Sequence, residues 1–192
     1  YQLILKNFYI KIEKSHLTWV NQNHPLGFGD AVRRTEKFIG IDDMILHAGD
    51  VTILGYREHP ISRMANIIKN NLDLSCVLLC KKVKDTKRYG VPKIKKISNT
   101  LFEVQEVEEK PDKPKSNYAI MPVYYFKSVI FKYLKKIKKG KGGEYQLTDA
   151  IQKLIEDGGK VAAISLLSTE EEIDIGTPEL YKKSLDFTYN IK

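Results

Sequence analysis

The chain has 192 residues and a mass of 22.1 kDa, enough for a single domain over 1–192 with a sizeable core. Apolar residues make up 42% and charged residues 29%, which excludes a disordered or low-complexity chain, and no apolar run approaches the roughly 18 residues that a membrane-spanning helix needs. The net charge of +8 comes from 27 lysines and only 5 arginines against 24 acids. Arginine is the better bidentate reader of phosphate and base edges, so this balance favours a solvated lysine surface over nucleic-acid binding.

In chain order, the alternating segment 16–22, which carries Thr18, Trp19 and Val20, reads as a strand. A Pro/Gly loop follows at 24–29, and Asp30 is placed to cap a helix that stops at Gly40. The segment from Met44 to Asp50 reads as a buried strand, and 61–71 as a helix whose apolar side holds Ile61, Met64, Ala65, Ile67 and Ile68. Cys76 and Cys80 lie in the next apolar strand, on one face and too far apart to bridge, which fits reduced thiols in a cytoplasmic core. The four histidines are scattered and form no zinc-ligand spacing. Strand, helix, strand, helix, strand is the rhythm of a parallel α/β sheet.

The middle differs. Residues 93–107 read as an antiparallel hairpin, 108–117 as a charged, proline-bearing loop, and 118–126 as a strand that admits Pro122 only at an edge or bulge. Residues 128–139 read as a lysine-rich amphipathic helix and 147–157 as a helix begun by Thr148 or Asp149. A strand at 160–167 and a helix from Pro178 complete the chain. The expected architecture is therefore α/β: a Rossmann-like, mixed but mainly parallel sheet flanked by helices.

Four segments carry candidate chemistry. Asp50 follows a strand directly, at the carboxyl edge where α/β ligand sites form, and Gly49 would let a ligand approach the backbone; a turn cap is an equal reading of Asp50. Asp174 is a second acid between apolar neighbours and before a glycine. Two such carboxylates suit a hard divalent cation, although spacing alone does not bring them together. The pair Gly27 and Gly29 before a helix suggests close approach to a nucleotide, without being a GxGxxG or Walker loop. Glu109 and Lys110 stand side by side before a proline-restricted loop. Lysine neutralises phosphate and glutamate accepts from a sugar hydroxyl; for the loop read alone, a solvated charge run is the commoner explanation.

Together these segments resemble a known family. The strings QNHPLGFGDAV, LHAGDV, YGVPKI, VEEKPDKPKSNYAI, GEYQLTDAI and IDIGTPELY run from Gln22 to Tyr181, in the order and at the spacing of the sugar-1-phosphate nucleotidyltransferases, notably the glucose-1-phosphate thymidylyl- and uridylyltransferases. The resemblance implies that Gln22 and the backbone of Gly27 face a pyrimidine base and that Asp50 and Asp174 hold Mg²⁺. It implies that Gly90 lies against the sugar, that Glu109 binds a sugar hydroxyl and that Lys110 binds the phosphate. Asn117 and Ile120 would line the sugar pocket, with Glu144 a sugar or structural contact. The implied partners are a nucleoside triphosphate (UTP or dTTP) and a sugar 1-phosphate, with neither nucleic acid nor membrane.

The chain also departs from that family. The G-G-x-G-T-R loop and the Pro-Lys that wrap the triphosphate in relatives are not among these residues, and the sequence opens on Tyr1. The expectation is an N-terminally truncated domain, inactive by itself, whose exposed sheet edge favours self-association into a homo-oligomer. Pro122 stands where relatives often have glycine, and Glu172 where some have an aromatic residue. Two function classes follow: a nucleotidyltransferase, favoured by the retained Asp50, Lys110 and Asp174, or a non-catalytic sugar-nucleotide-binding or regulatory subunit.

Overall fold

A computed structural model describes residues 2–55 and 57–189. The chain runs α1 (Gln2–Glu13), α2 (Phe28–Arg34), α3 (Glu36–Ile39), β1 (Met44–His47), β2 (Val51–Leu54), α4 (Pro60–Asn70) and β3 (Leu74–Lys82). It continues through β4 (Gly90–Lys96), β5 (Leu101–Glu109), β6 (Tyr118–Phe126), α5 (Ile130–Leu134), α6 (Leu147–Glu156), β7 (Lys160–Ser165), β8 (Glu171–Asp174) and α7 (Pro178–Tyr189). Six strands form one sheet in the order β1-β6-β3-β7-β5-β4, and β2 pairs with β8 in a separate ladder.

The core forms on both faces of the large sheet. Alternate residues of a strand point to opposite faces. On β3, Cys76, Leu78 and Cys80 therefore enter one apolar layer, with Ile151 and Leu154 of α6 and Phe131 and Leu134 of α5. Val77 and Leu79 enter the other, with Met64 and Ile68 of α4 and with Val51, Ile53 and Ile164. This two-sided burial explains why β3 is apolar almost throughout instead of alternating.

The expected mixed sheet flanked by helices is present, but its pairing is mainly antiparallel. Only β3 and β7 pair in parallel; the other four neighbouring pairs are antiparallel. The reason is topological. β1 and β3 run in the same direction, as the strand–helix–strand rhythm implies, but β6 returns between them and is antiparallel to both. β1 is consequently an edge strand and ends at His47, short of Asp50. The register of β6 on β3 shifts between Leu78 and Cys80, and Pro122, which has no N–H to give, lies in this bulge. Its carbonyl accepts the N–H of Ala48 at 3.0 Å, so the bulge required by proline exists inside the sheet.

Three other expectations change. Residues 16–22 form no strand, and Trp19 is 93% exposed; the alternation is present, but no described strand pairs with it. The helix expected over 128–139 shortens to α5, although the amphipathic pattern runs on past it: Ile137 still turns into the core while Lys135, Lys136, Lys138 and Lys139 face solvent. Asp30 does not cap its helix but lies inside α2, fully buried. No described helix is long and apolar enough to cross a membrane.

Candidate active site

Asp50 lies in the turn between β1 and β2, and Asp174 ends β8. The β2–β8 ladder sets Val51 opposite Asp174, and the Asp50 carbonyl accepts the N–H of Ile175 at 2.9 Å. A β-carbon on Gly176 would lie 3.1 Å from Asp174 Oδ1 and 3.3 Å from Asp50 Oδ2. One oxygen of each carboxylate thus faces the same point, over a glycine whose missing side chain leaves that point open. The Gly176 N–H orients Asp174 by donating to Oδ1 at 2.7 Å. Two convergent carboxylates are a donor set for a hard divalent cation. Among the described residues no group of three or more His, Cys, Asp or Glu side chains is arranged for a metal, so such an ion would fill its shell with water and phosphate oxygens.

Both aspartates line a cavity of about 370 Å³ together with Gly90, Glu109, Ile120, Pro122, Tyr124, Thr148 and Glu172. Of the residues expected from sequence, Asp50, Asp174, Gly90, Glu109 and Ile120 therefore meet here. Gly90 opens β4 opposite Glu109, the last residue of β5. A β-carbon at Gly90 would lie 2.7 Å from Thr148 Cγ2 and 3.2 Å from Glu109 Oε2, so the cavity wall admits only glycine at this point without rearrangement.

Lys110 adjoins the cavity without lining it, and its Nζ is 3.6 Å from Glu109 Oε1. It is the one described non-glycine residue with positive φ, at 47°, a conformation that costs energy and collects at functional sites. Its N–H donates to the Tyr89 carbonyl at 2.9 Å, and Lys141 Nζ donates to its carbonyl.

Gln22, Gly27, Asn117 and Glu144 lie outside this cavity. The Gln22 amide donates to the Gly27 carbonyl at 3.1 Å and to Asp30 Oδ2 at 2.9 Å. Gly27, at φ 101°, packs so closely that a β-carbon would come within 2.7 Å of Glu144 Cβ. The Asn117 carbonyl accepts from Val83 N–H at 2.9 Å. Asp30 anchors the same loop. Burial pulls its carboxyl pKa upward, but hydrogen bonds from Arg34, Gln22 and Arg33 outweigh this and lower it to about 2.

Sequence reasoning missed Tyr124 and the site role of Thr148. Tyr124 looks like another apolar strand residue; burial first, and then the Glu109 charge, push its phenol up. Thr148 reads as a helix cap, yet its hydroxyl donates to Glu109 Oε2 at 3.0 Å. Glu172 is held by an ion pair with Lys81.

With the fold and this cavity in view, comparison with known proteins places the chain. A family model described as nucleotidyl transferase matches residues 5–189, and the chain belongs to that family. It is 30% identical over 181 residues to a UTP–glucose-1-phosphate uridylyltransferase of Mycoplasma pneumoniae, covering 91% of this chain and 60% of that protein. It is 29% identical over 148 residues to a glucose-1-phosphate thymidylyltransferase of Streptomyces antibioticus, covering 77% of this chain and 39% of that protein. A UDP-glucose pyrophosphorylase solved with UDP-glucose shares the fold, with a TM-score of 0.89 and 24% identity over 98% of this chain and 72% of the other. The chain thus spans less than two thirds of the length of each of these two curated relatives.

Proposed function

We propose that these residues belong to an enzyme that transfers a nucleotidyl group from UTP or dTTP to a sugar 1-phosphate, glucose 1-phosphate first among the candidates, giving a nucleoside-diphosphate sugar and pyrophosphate. The observation that carries this reading is the meeting of Asp50 and Asp174 at one point of a cavity shared with Glu109 and Gly90. The relatives' names, which specify uridylyl and thymidylyl transfer to glucose 1-phosphate, support it.

A phosphate oxygen of the sugar 1-phosphate attacks the α-phosphorus in line. The bond from that phosphorus to the bridging oxygen breaks, and pyrophosphate leaves with the electron pair. The reaction needs no protein nucleophile; it needs two anions held together with their charge compensated. Mg²⁺ on Asp50 and Asp174 would supply that compensation and align the phosphates. Lys110 takes the sugar phosphate, and Glu109 accepts from a sugar hydroxyl beside Gly90. Ile120 borders the sugar, Gln22 and the Gly27 backbone face the base, and Glu144 supports that loop. The protein works as a homo-oligomer in the cytoplasm. The chain by itself is inactive, because the G-G-x-G-T-R string that would wrap the triphosphate is not among its residues.

Pyrophosphate release by the intact protein that contains these residues, supplied with Mg²⁺, glucose 1-phosphate and UTP or dTTP, is the test. Turnover is expected. Tight binding of UDP-glucose with no turnover would overturn the reading in favour of a non-catalytic module, and release by residues 1–192 alone would overturn the inactivity.

A further inference from the structure

The segment GEYQLTDAI (143–151) touches both the loop at 26–29 and the end of β5 through its backbone and side chains. On one side it grips the loop at 26–29. The Tyr145 N–H donates to the Leu26 carbonyl at 2.8 Å, and the Gly29 N–H donates to the Tyr145 carbonyl at 2.9 Å. A β-carbon on Gly29 would stand 2.7 Å from that same carbonyl oxygen, so the two backbones are in direct contact. On the other side, three residues further on, Thr148 is 4% exposed and donates its hydroxyl to Glu109 Oε2 at 3.0 Å.

Glutamate has several rotatable bonds, and a carboxylate at the end of a strand has no fixed direction unless something holds it. Here one oxygen takes the single Thr148 proton and the other faces Lys110 Nζ at 3.6 Å. The absent side chain of Gly90 leaves the room in which this pair sits. We infer that Thr148 is a positioning residue, which fixes the Glu109 carboxylate toward a hydroxyl of the bound sugar. The inference rests on the reading of Glu109 as a sugar ligand.

The test uses the intact protein and the variants Thr148→Val, which keeps the shape and loses the donor, and Thr148→Ser, which keeps the donor. Calorimetric titration with glucose 1-phosphate should show a roughly three- to tenfold loss of affinity for Thr148→Val, the cost of ordering on binding a carboxylate that Thr148 otherwise holds in advance. Thr148→Ser should stay within about twofold of wild type. UTP affinity should be unchanged in both. The Glu109 carboxyl ¹³C resonance in residues 1–192 should move with Thr148→Val and hold with Thr148→Ser. Unchanged glucose 1-phosphate affinity in Thr148→Val overturns the inference, as does a parallel loss for UTP and the sugar phosphate with a lowered melting temperature. Should Thr148→Val fail to fold, Thr148→Ala must show the same selective loss. If the wild type binds no sugar phosphate, the proposed function falls, and an unmoved Glu109 resonance would then separately overturn the Thr148 role.

Discussion

Replacing Gly90 with alanine tests how the cavity wall is built. The new β-carbon would sit 2.7 Å from Thr148 Cγ2, 3.2 Å from Glu109 Oε2 and 3.4 Å from Ile120 Cδ1. Carbon atoms rest at about 3.5–4.0 Å, so the first contact is too short by roughly 1 Å and the other two are tight but tolerable. Gly90 does not have positive φ, so alanine meets no backbone penalty and the cost is steric. Overpacking of this kind costs about 1–3 kcal/mol. The atom responsible is one that serine lacks. Thr148→Ser alone deletes one buried methyl, worth about 0.8 kcal/mol, and keeps the hydroxyl that Glu109 accepts. If the single effects simply added, the double variant G90A/T148S would lose about 2–4 kcal/mol. Relief of the clash instead predicts a double variant close to T148S alone, with a coupling energy of about 1–3 kcal/mol. Urea unfolding of wild type, both single variants and the double variant measures this without any need for turnover. Additive losses would show that Gly90 and Thr148 do not abut as described, and would remove the steric reason for glycine at this position.

Asp50→Asn or Asp174→Asn should leave the melting temperature within a few degrees and lower pyrophosphate release by the intact protein by roughly a hundredfold or more, as loss of a charge-compensating metal ligand does; full activity in either would refute the metal assignment. Asp30 is held at about 2, below its ordinary 3.8. A depressed carboxyl stabilises the fold above the unfolded value and loses that contribution as pH falls from about 4 through about 2. Melting temperatures of wild type and Asp30→Asn should therefore differ most near neutrality and converge toward pH 2, and a gap independent of pH would contradict the ion pairs with Arg33 and Arg34. Burial raises the pKa of both Cys76 and Cys80, and neither is disulfide-bonded. A thiol reagent should leave both unmodified in the native chain and modify two per chain in denaturant; fast native labelling would place them wrongly.

Much of this fold is legible in local pattern. α4 and α6 carry apolar residues at helical spacing, and β3, β7 and the β4–β5 hairpin carry strand residues between turn signals. Such patterns report which face is buried, and burial supplies most of the stabilising free energy. The misses share a cause. Residues 16–22 alternate as a strand does, but alternation creates no partner, and Trp19 remains in solvent. β2 and β8 have only four residues each, too short for a periodic signal, and each exists because the other pairs with it. Asp30 has the composition of a cap, and its burial follows from two arginines one turn further along the helix and from Gln22.

The same division separates what the sequence determined by itself from what tertiary structure decided. Residue types and motif order alone identified the α/β class and the family resemblance, and named Gln22, Gly27, Asp50, Gly90, Glu109, Lys110, Asn117, Ile120, Glu144 and Asp174 as the residues to follow, of which Asp50, Gly90, Glu109, Ile120 and Asp174 line one cavity. Pairing decided the rest: β6 inserted between β1 and β3, Asp50 brought to Asp174 by the β2–β8 ladder, and Thr148 brought to Glu109 where α6 meets the end of β5. Local periodicity encodes a buried face, because each residue meets its own neighbours in the chain. A carboxylate pair or a hydroxyl–carboxylate bond between distant segments depends on which strands pair and in which register, and that free energy is realised only when the whole sheet forms.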